Sequence, residues 1–194
     1  MKRFVASLLA ALSLQALPAL AQEQADCRHP RTQAKAPMVG YWHVGSHNYE
    51  ARQPGSGCSM RLVHVASGIA FDLYIYQAGL GEIADLPRDP RLMEIFQSAV
   101  QSIRHRWEGT ERGRLHQLEA RHVQRGLSGV EVMAAQATIE LPSGEQYRTH
   151  LLLWSGAGSI WKLRATLPAG HATMTDAAME EIGAALVDWS RVNP

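Results

Sequence analysis

Between Leu115 and Leu167 the chain is a succession of strand-length runs joined by turns too short to hold a crossover, which requires antiparallel pairing. The runs are Leu115–Gln124, Gly129–Leu141, Gln146–Ser155 and Ser159–Leu167. Pro142-Ser143-Gly144-Glu145 and Gly156-Ala157-Gly158 supply turn chemistry between the later ones. Upstream, Met60–Ala66 and Ile69–Tyr76 flank Ser67-Gly68, a hairpin signal. Ile69, Phe71, Leu73 and Ile75 fall on one face of their strand, and Ala70, Asp72, Tyr74 and Tyr76 on the other. In the last run Trp161, Leu163, Ala165 and Leu167 alternate with Lys162, Arg164 and Thr166. Val130–Ala135 and Leu151–Trp154 are apolar on both faces, as expected of central strands covered from both sides.

Two amphipathic segments can supply that cover. Asp89 caps a helix with Pro90 at its first position. Leu92, Phe96, Ala99, Val100, Ile103 and Trp107 then recur at helical spacing until Gly109, and Arg104, His105 and Arg106 suit the negative end of the dipole. A closing helix is expected from about Asp176 to Val192, capped by Thr173 or Thr175, with a stripe of Ala178, Ile182, Ala185, Leu186 and Trp189. The expected class is α+β: an antiparallel sheet of about five to seven strands between two helices, an α/β/α sandwich. The alternative places both helices on one face.

The first residues read as an address. Lys2 and Arg3 form a short positive region, Phe4–Leu14 is apolar, Pro18 breaks the run, and Ala19-Leu20-Ala21 is a small-x-small cleavage site. Gln15 and Pro18 interrupt the stretch, and a spanning helix needs about 20 apolar residues. Residues 1–21 are therefore expected to be a signal peptide. Residues 22–58 form an N-terminal arm and loop with a short strand possible at Tyr41–Val44, and 59–194 a single α+β domain. Export implies a periplasmic location in a Gram-negative source, and no integral membrane segment remains after cleavage. Loss of Lys2 and Arg3 leaves 17 basic against 18 acidic side chains. A phosphate backbone needs a basic excess, so nucleic acid is a poor partner. Cys27 and Cys58 are the only cysteines. In an oxidising compartment they are expected to form a disulfide, worth about 3–4 kcal/mol in a loop-entropy account. The alternative is a reactive thiol or a pair of metal ligands.

The block Phe71-Asp72-Leu73-Tyr74-Ile75-Tyr76-Gln77-Ala78-Gly79, the proline-started helix and Trp161-Lys162-Leu163-Arg164-Ala165-Thr166 resemble a family of small exported bacterial proteins. The order of elements over about residues 60–190 is similar to the PsbP-like fold, a curved antiparallel sheet with helices packed on it. The resemblance implies an accessory or binding protein rather than a catalyst. Where that family's strand motif carries an acid this chain has Gln77, so no role of that acid transfers.

No G-x-S-x-G elbow, Walker loop or dinucleotide fingerprint occurs. Lys162 and Arg164, with Arg148 and His150 on the neighbouring strand and Tyr74 and Tyr76 on another, are expected to line a polar, aromatic-edged groove for a carboxylate or sulfate. The competing reading is a solvated sheet face, or long stems covering apolar surface. His43 and His47 are the start of a metal site if a third ligand joins them. His116 and His122 are expected on one strand face. Glu82, Asp85, Asp89 and Glu94 cluster in sequence, but one caps a helix, one lies in its exposed turn and two are in a loop. The leading expectation is an exported, non-enzymatic binding or accessory protein without a cofactor, gripping another envelope protein or a small anionic ligand. The alternatives are a hydrolytic or metal-dependent enzyme using the His-rich N-terminal region, and a purely structural envelope protein.

Overall fold

A computed structural model describes residues 39–50, 52–78, 80, 89–108, 111–127 and 129–192. The signal peptide, the arm before Val39, Cys27, Glu82 and Asp85 lie outside the described residues. The chain runs β1 (Tyr41–Asn48), β2 (Cys58–His64), β3 (Ala70–Tyr76), α1 (Pro90–Trp107), β4 (Arg114–Arg125), β5 (Val130–Glu140), β6 (Gln146–Gly156), β7 (Ser159–Pro168) and α2 (Ala172–Val192), with a 3-10 turn at Ala169–His171. The strands form one seven-stranded sheet in the order β1-β2-β3-β7-β6-β5-β4, antiparallel throughout. Two meanders, β1–β3 and β4–β7, meet where β3 pairs with β7.

The alternating side chains divide between two cores. Leu62, Phe71, Leu73, Leu163, Trp161, Leu152 and Trp154 face α2 and enclose its Met179, Ile182, Leu186 and Val187. Met133, Ala135, Leu151, Leu153 and Ile160 face α1 and bury its Leu92, Phe96 and Ile103. The helices therefore cover opposite faces, and the α/β/α arrangement holds rather than the one-sided one. Trp154 and Trp161 stack with centroids 6.0 Å apart. The buried Trp154 indole donates to Ser190 Oγ at 2.9 Å, which fixes the end of α2 against the sheet.

Local signals account for the elements. The Asp89 side chain accepts from the Arg91 backbone N–H at 2.9 Å, capping α1 in front of Pro90. Arg91 folds back on the same carboxylate, and these hydrogen bonds hold it below the usual carboxylate range. Ala157 (φ 47°) and Gly158 (φ 74°) form a two-residue turn with both residues left-handed, the twist that closes an antiparallel hairpin.

Some expectations shift. The strand Tyr41–Asn48 falls inside the segment read as arm and loop, yet it pairs with β2 and buries Tyr41, so the sheet extends to it. The last helix starts at Ala172, which puts Thr173 and Thr175 inside it rather than at its cap. Ala185 is exposed, and Met179 and Val187 take up the buried stripe beside Ile182 and Leu186. Both edge strands carry bulges, between His43 and Gly45 in β1 and between His116 and Glu119 in β4, where Gln117 is left-handed (φ 46°). Bulges at sheet edges twist the strand and blunt its use as a template for further pairing.

The loop between β1 and β2 tucks under the end of β3. Gly57 (φ 62°) lies against it so closely that a Cβ would meet Ile75 O at 1.9 Å. Gly57→Ala is expected to cost about 2 kcal/mol or more, from a steric clash with backbone added to a left-handed φ. Urea denaturation followed by circular dichroism checks it; an unchanged midpoint would show that the loop packs elsewhere.

Candidate functional site

Helix α1 packs on β4, β5 and β6. On the same side of the sheet β2, β3 and β7 carry polar side chains that remain partly exposed: Arg61, Asp72, Tyr74, Lys162 and Arg164. Pairing arranges them in rows across the strands. Arg61 opposes Asp72, which opposes Arg164. In the next row Ser59 opposes Tyr74, which opposes Lys162. Arg106 and Trp107, in the last turn of α1, stand at the edge of these rows.

Arg61, Asp72, Tyr74 and Arg164, with Arg106 and Trp107 from the helix end, line a cavity of about 390 Å3, and Lys162 stands in the next row beside it. Among the described lining residues, Arg61, Arg106 and Arg164 supply the guanidinium groups and Asp72 the carboxylate. Arg61 Nη1 lies 3.5 Å from Asp72 Oδ1, a long, exposed contact that leaves most of its donors for other partners. Lys162 Nζ sits 4.3 Å from the centroid of the Tyr74 ring and 5.4 Å from that of Tyr76. Burial, and next the charge of Arg164, lower the Lys162 pKa from its ordinary value. Burial raises the Tyr74 phenol, with Asp72 adding to the shift, and burial raises that of Tyr76 still further. Both rings therefore act as neutral walls. The arrangement suits an oxyanion: forked donors, an aromatic side wall and a net positive field.

Sequence reasoning grouped six residues here, and the sheet separates them. Tyr74, Tyr76, Lys162 and Arg164 share the α1 face. Arg148 and His150 oppose Leu167 and Ala165, which places them on the α2 face. The Ala157–Gly158 turn sets that register, and a shift of one residue would have reversed it. Arg61, Asp72, Arg106 and Trp107 were missed. The polar phase of alternating strands holds a faint signal for Arg61 and Asp72, but the contribution of the helix end has no sequence mark.

On the α2 face Arg148 Nη1 pairs with Asp176 Oδ2, and Gln136 Nε2 lies 3.5 Å from Asp176 Oδ1. His150 Nε2 is 3.6 Å from the same Oδ1, beyond hydrogen-bond reach. Burial lowers the His150 pKa from its ordinary value; Asp176 opposes that shift and Arg148 adds to it.

The two histidine pairs are both broken by the bulges. Residues four or six apart on an uninterrupted strand share a face. The bulge after His43 puts His43 beside Leu62 on the α2 side and His47 beside Ser59 on the α1 side. His43 bonds to Ser46 Oγ at 2.6 Å, and His47 packs on Tyr49 with centroids 4.4 Å apart. The two therefore cannot ligate one ion. The bulge after His116 likewise sends His122 to the opposite face, beside Glu131 at 2.8 Å, while His116 lies 3.5 Å from Glu140. No group of three or more His, Cys, Asp or Glu is placed to hold a metal among the described residues. Asp89 is occupied as the helix cap, and Glu94 is exposed on α1. Comparison with family models and with curated protein sequences finds no match, so the functional reading rests on this geometry.

A histidine whose folded pKa lies below its unfolded value stabilises the fold above the unfolded pKa, and that contribution is lost as pH falls. For His150 the loss begins near 6.5 and proceeds downward. The melting temperature of the wild type is expected to fall on acidification from about pH 7.5 to about pH 5, and His150→Gln to fall less steeply. Scanning calorimetry of both across that range checks it; parallel slopes would remove His150 from the acid response.

Proposed function

We propose that this chain is an exported binding or accessory protein, delivered to the periplasm by the signal peptide at residues 1–21, that holds a small anionic ligand on the half of its sheet beside the end of α1. One observation carries the reading: the β2–β3–β7 rows place Arg61 and Arg164 in one cavity, with Arg106 of α1 at its edge, and Asp72 is the one carboxylate among the described residues that line it. Binding there needs no group to titrate or attack. Among the described residues no helix is long and apolar enough to cross a membrane, in keeping with a protein not anchored by a helix of its folded part. The seven-stranded antiparallel sheet with two helices is compatible with the PsbP-like likeness, itself part of the proposal. So is a Cys27–Cys58 disulfide that ties the arm to the start of β2. Its support is that Cys58 is buried and that no free cysteine occurs among the described residues.

The enzymatic alternative relies on the His-rich N-terminal region; in the described part of that region His43 and His47 face opposite sides.

Isothermal titration with succinate and with sulfate tests the binding reading. At least one is expected to bind, with affinity reduced about tenfold or more by Arg164→Gln. The melting temperature of that variant should stay within a few degrees of wild type, since Arg164 is partly exposed and surface charge interactions contribute about 1 kcal/mol at most. No heat from either probe at about 1 mM would overturn the proposal. A large stability loss in the variant would make Arg164 a structural residue.

The disulfide has a separate check. Alkylation of unfolded, unreduced protein is expected to leave the mass of the mature chain free of adducts, and Cys58→Ser to cost about 2–4 kcal/mol. Two alkylated thiols would remove the bridge.

A further inference from the structure

A second cavity, of about 230 Å3, lies on the opposite side of the sheet, between α2 and β4–β6. Three buried side-chain polar atoms lack a hydrogen-bond partner among the described residues: Arg125 Nε, His150 Nε2 and Ser159 Oγ. The first two belong to residues lining this one cavity. Buried polar atoms are nearly always paired, and exceptions concentrate where a ligand or ordered water is received. The His150 side chain is only 10% exposed, so its imidazole is not simply a surface group.

The lining has two chemically distinct ends. Asp176 and Glu180 lie one turn apart on α2, about 6 Å along its axis. Around Asp176 gather His150 and Gln136, which oppose each other on β6 and β5. Near Glu180 stands Arg125, its Nη1 3.4 Å from Glu180 Oε1. Ala134, Leu152 and Met179 supply the apolar surface. Charge is balanced: Glu119, Asp176 and Glu180 against Arg121, Arg125 and the Arg148 that pairs with Asp176. A balanced pocket gives no net attraction to an anion, in contrast to the α1 face. It suits a neutral molecule that carries both signs.

We propose that this cavity is a second binding site, for a small zwitterionic amino acid whose ammonium meets Asp176 and His150 Nε2 and whose carboxylate meets Arg125. An ammonium offers three donors and can serve the carboxylate and the ring nitrogen together. A neutral imidazole accepts such a donor, and the burial that lowers the His150 pKa keeps the ring neutral at pH 7. The carboxylate accepts from Arg125 Nε, the donor with no partner of its own. The volume is below the roughly 300–1,000 Å3 of drug-sized clefts, which limits the ligand to a small molecule. The inference does not depend on the anion-binding reading, because the two cavities lie on opposite faces.

L-Leucine and γ-aminobutyrate, whose charges are differently spaced, serve as probes in calorimetry and in 15N-detected titration of the histidine rings, with the His150 signal assigned from His150→Gln. At least one is expected to bind with Kd below about 1 mM and to move the His150 resonance. Its methyl ester and its N-trimethyl derivative, each lacking one recognised group, should bind about tenfold or more weakly. Arg125→Gln should weaken binding similarly, and Asp176→Asn, at a part-exposed position that meets the ammonium, should do the same and keeps the test if the first variant does not fold. Succinate should not compete. The proposal is overturned if neither probe moves the His150 signal, if the blocked derivatives bind as well as the parent, or if succinate displaces the probe.

Discussion

The pairing of β3 with β7 is the interaction on which the rest of the molecule depends. It is the seam between two meanders that are each built from local hairpins, and it joins residues about ninety positions apart. Phe71, Leu73 and Ile75 oppose Ala165, Leu163 and Trp161, all buried against α2. A slip of one residue would turn Asp72 and Arg164 into that core and leave Leu73 or Leu163 in water. The cost of burying an unpaired carboxylate makes the register close to obligatory. The same pairing then dictates the opposite face, where Asp72 and Arg164 stand side by side and Tyr74 meets Lys162.

The sheet consequently works as a partition. Its α2 side is closed along the centre by the Trp154–Trp161 stack and by the Ser190 contact. Among the described residues its α1 side is roofed over β4–β6, where α1 lies before ending beside β3 and β7. Among the described lining residues, the cavity beside β3 and β7 gathers more guanidinium groups than carboxylates, and the cavity beneath α2 is balanced. Two surfaces of different electrostatic character thus arise from one layer a single strand thick. A group such as Lys162, held against two tyrosine rings, is positioned by cross-strand neighbours rather than by its own chain segment.

Much of this is legible in the amino-acid sequence. The helix from Pro90, the hairpin of β2 and β3, the alternation in Phe71–Tyr76 and Trp161–Thr166 and the doubly buried strands β5 and β6 all follow from periodicity within a few residues, although β2 stops at His64 and the hairpin turn spans Val65–Gly68 rather than Ser67-Gly68 alone. The grouping of Tyr74, Tyr76, Lys162 and Arg164 was legible for the same reason, since each lies on the polar phase of a regular strand. Arg148 and His150 were misassigned because their face depends on the inter-strand register. His43 with His47, and His116 with His122, were misassigned because a bulge inserts one residue and inverts every side chain after it.

By itself, then, the order of amino acids determined the kinds of element, their antiparallel connection and the apolar side of each regular strand, because steric propensity, turn chemistry and hydrophobic period act between near neighbours. Only the tertiary structure decided which polar groups meet. Asp176 reaches Arg148 from a different element, Arg106 joins Arg61 and Arg164 across the open sheet, and His150 ends beneath α2 rather than beside Lys162. Those juxtapositions depend on strand register, bulges and the placement of two helices. Each is settled by burial energies summed over the whole layer, and no local stretch of chain contains that sum.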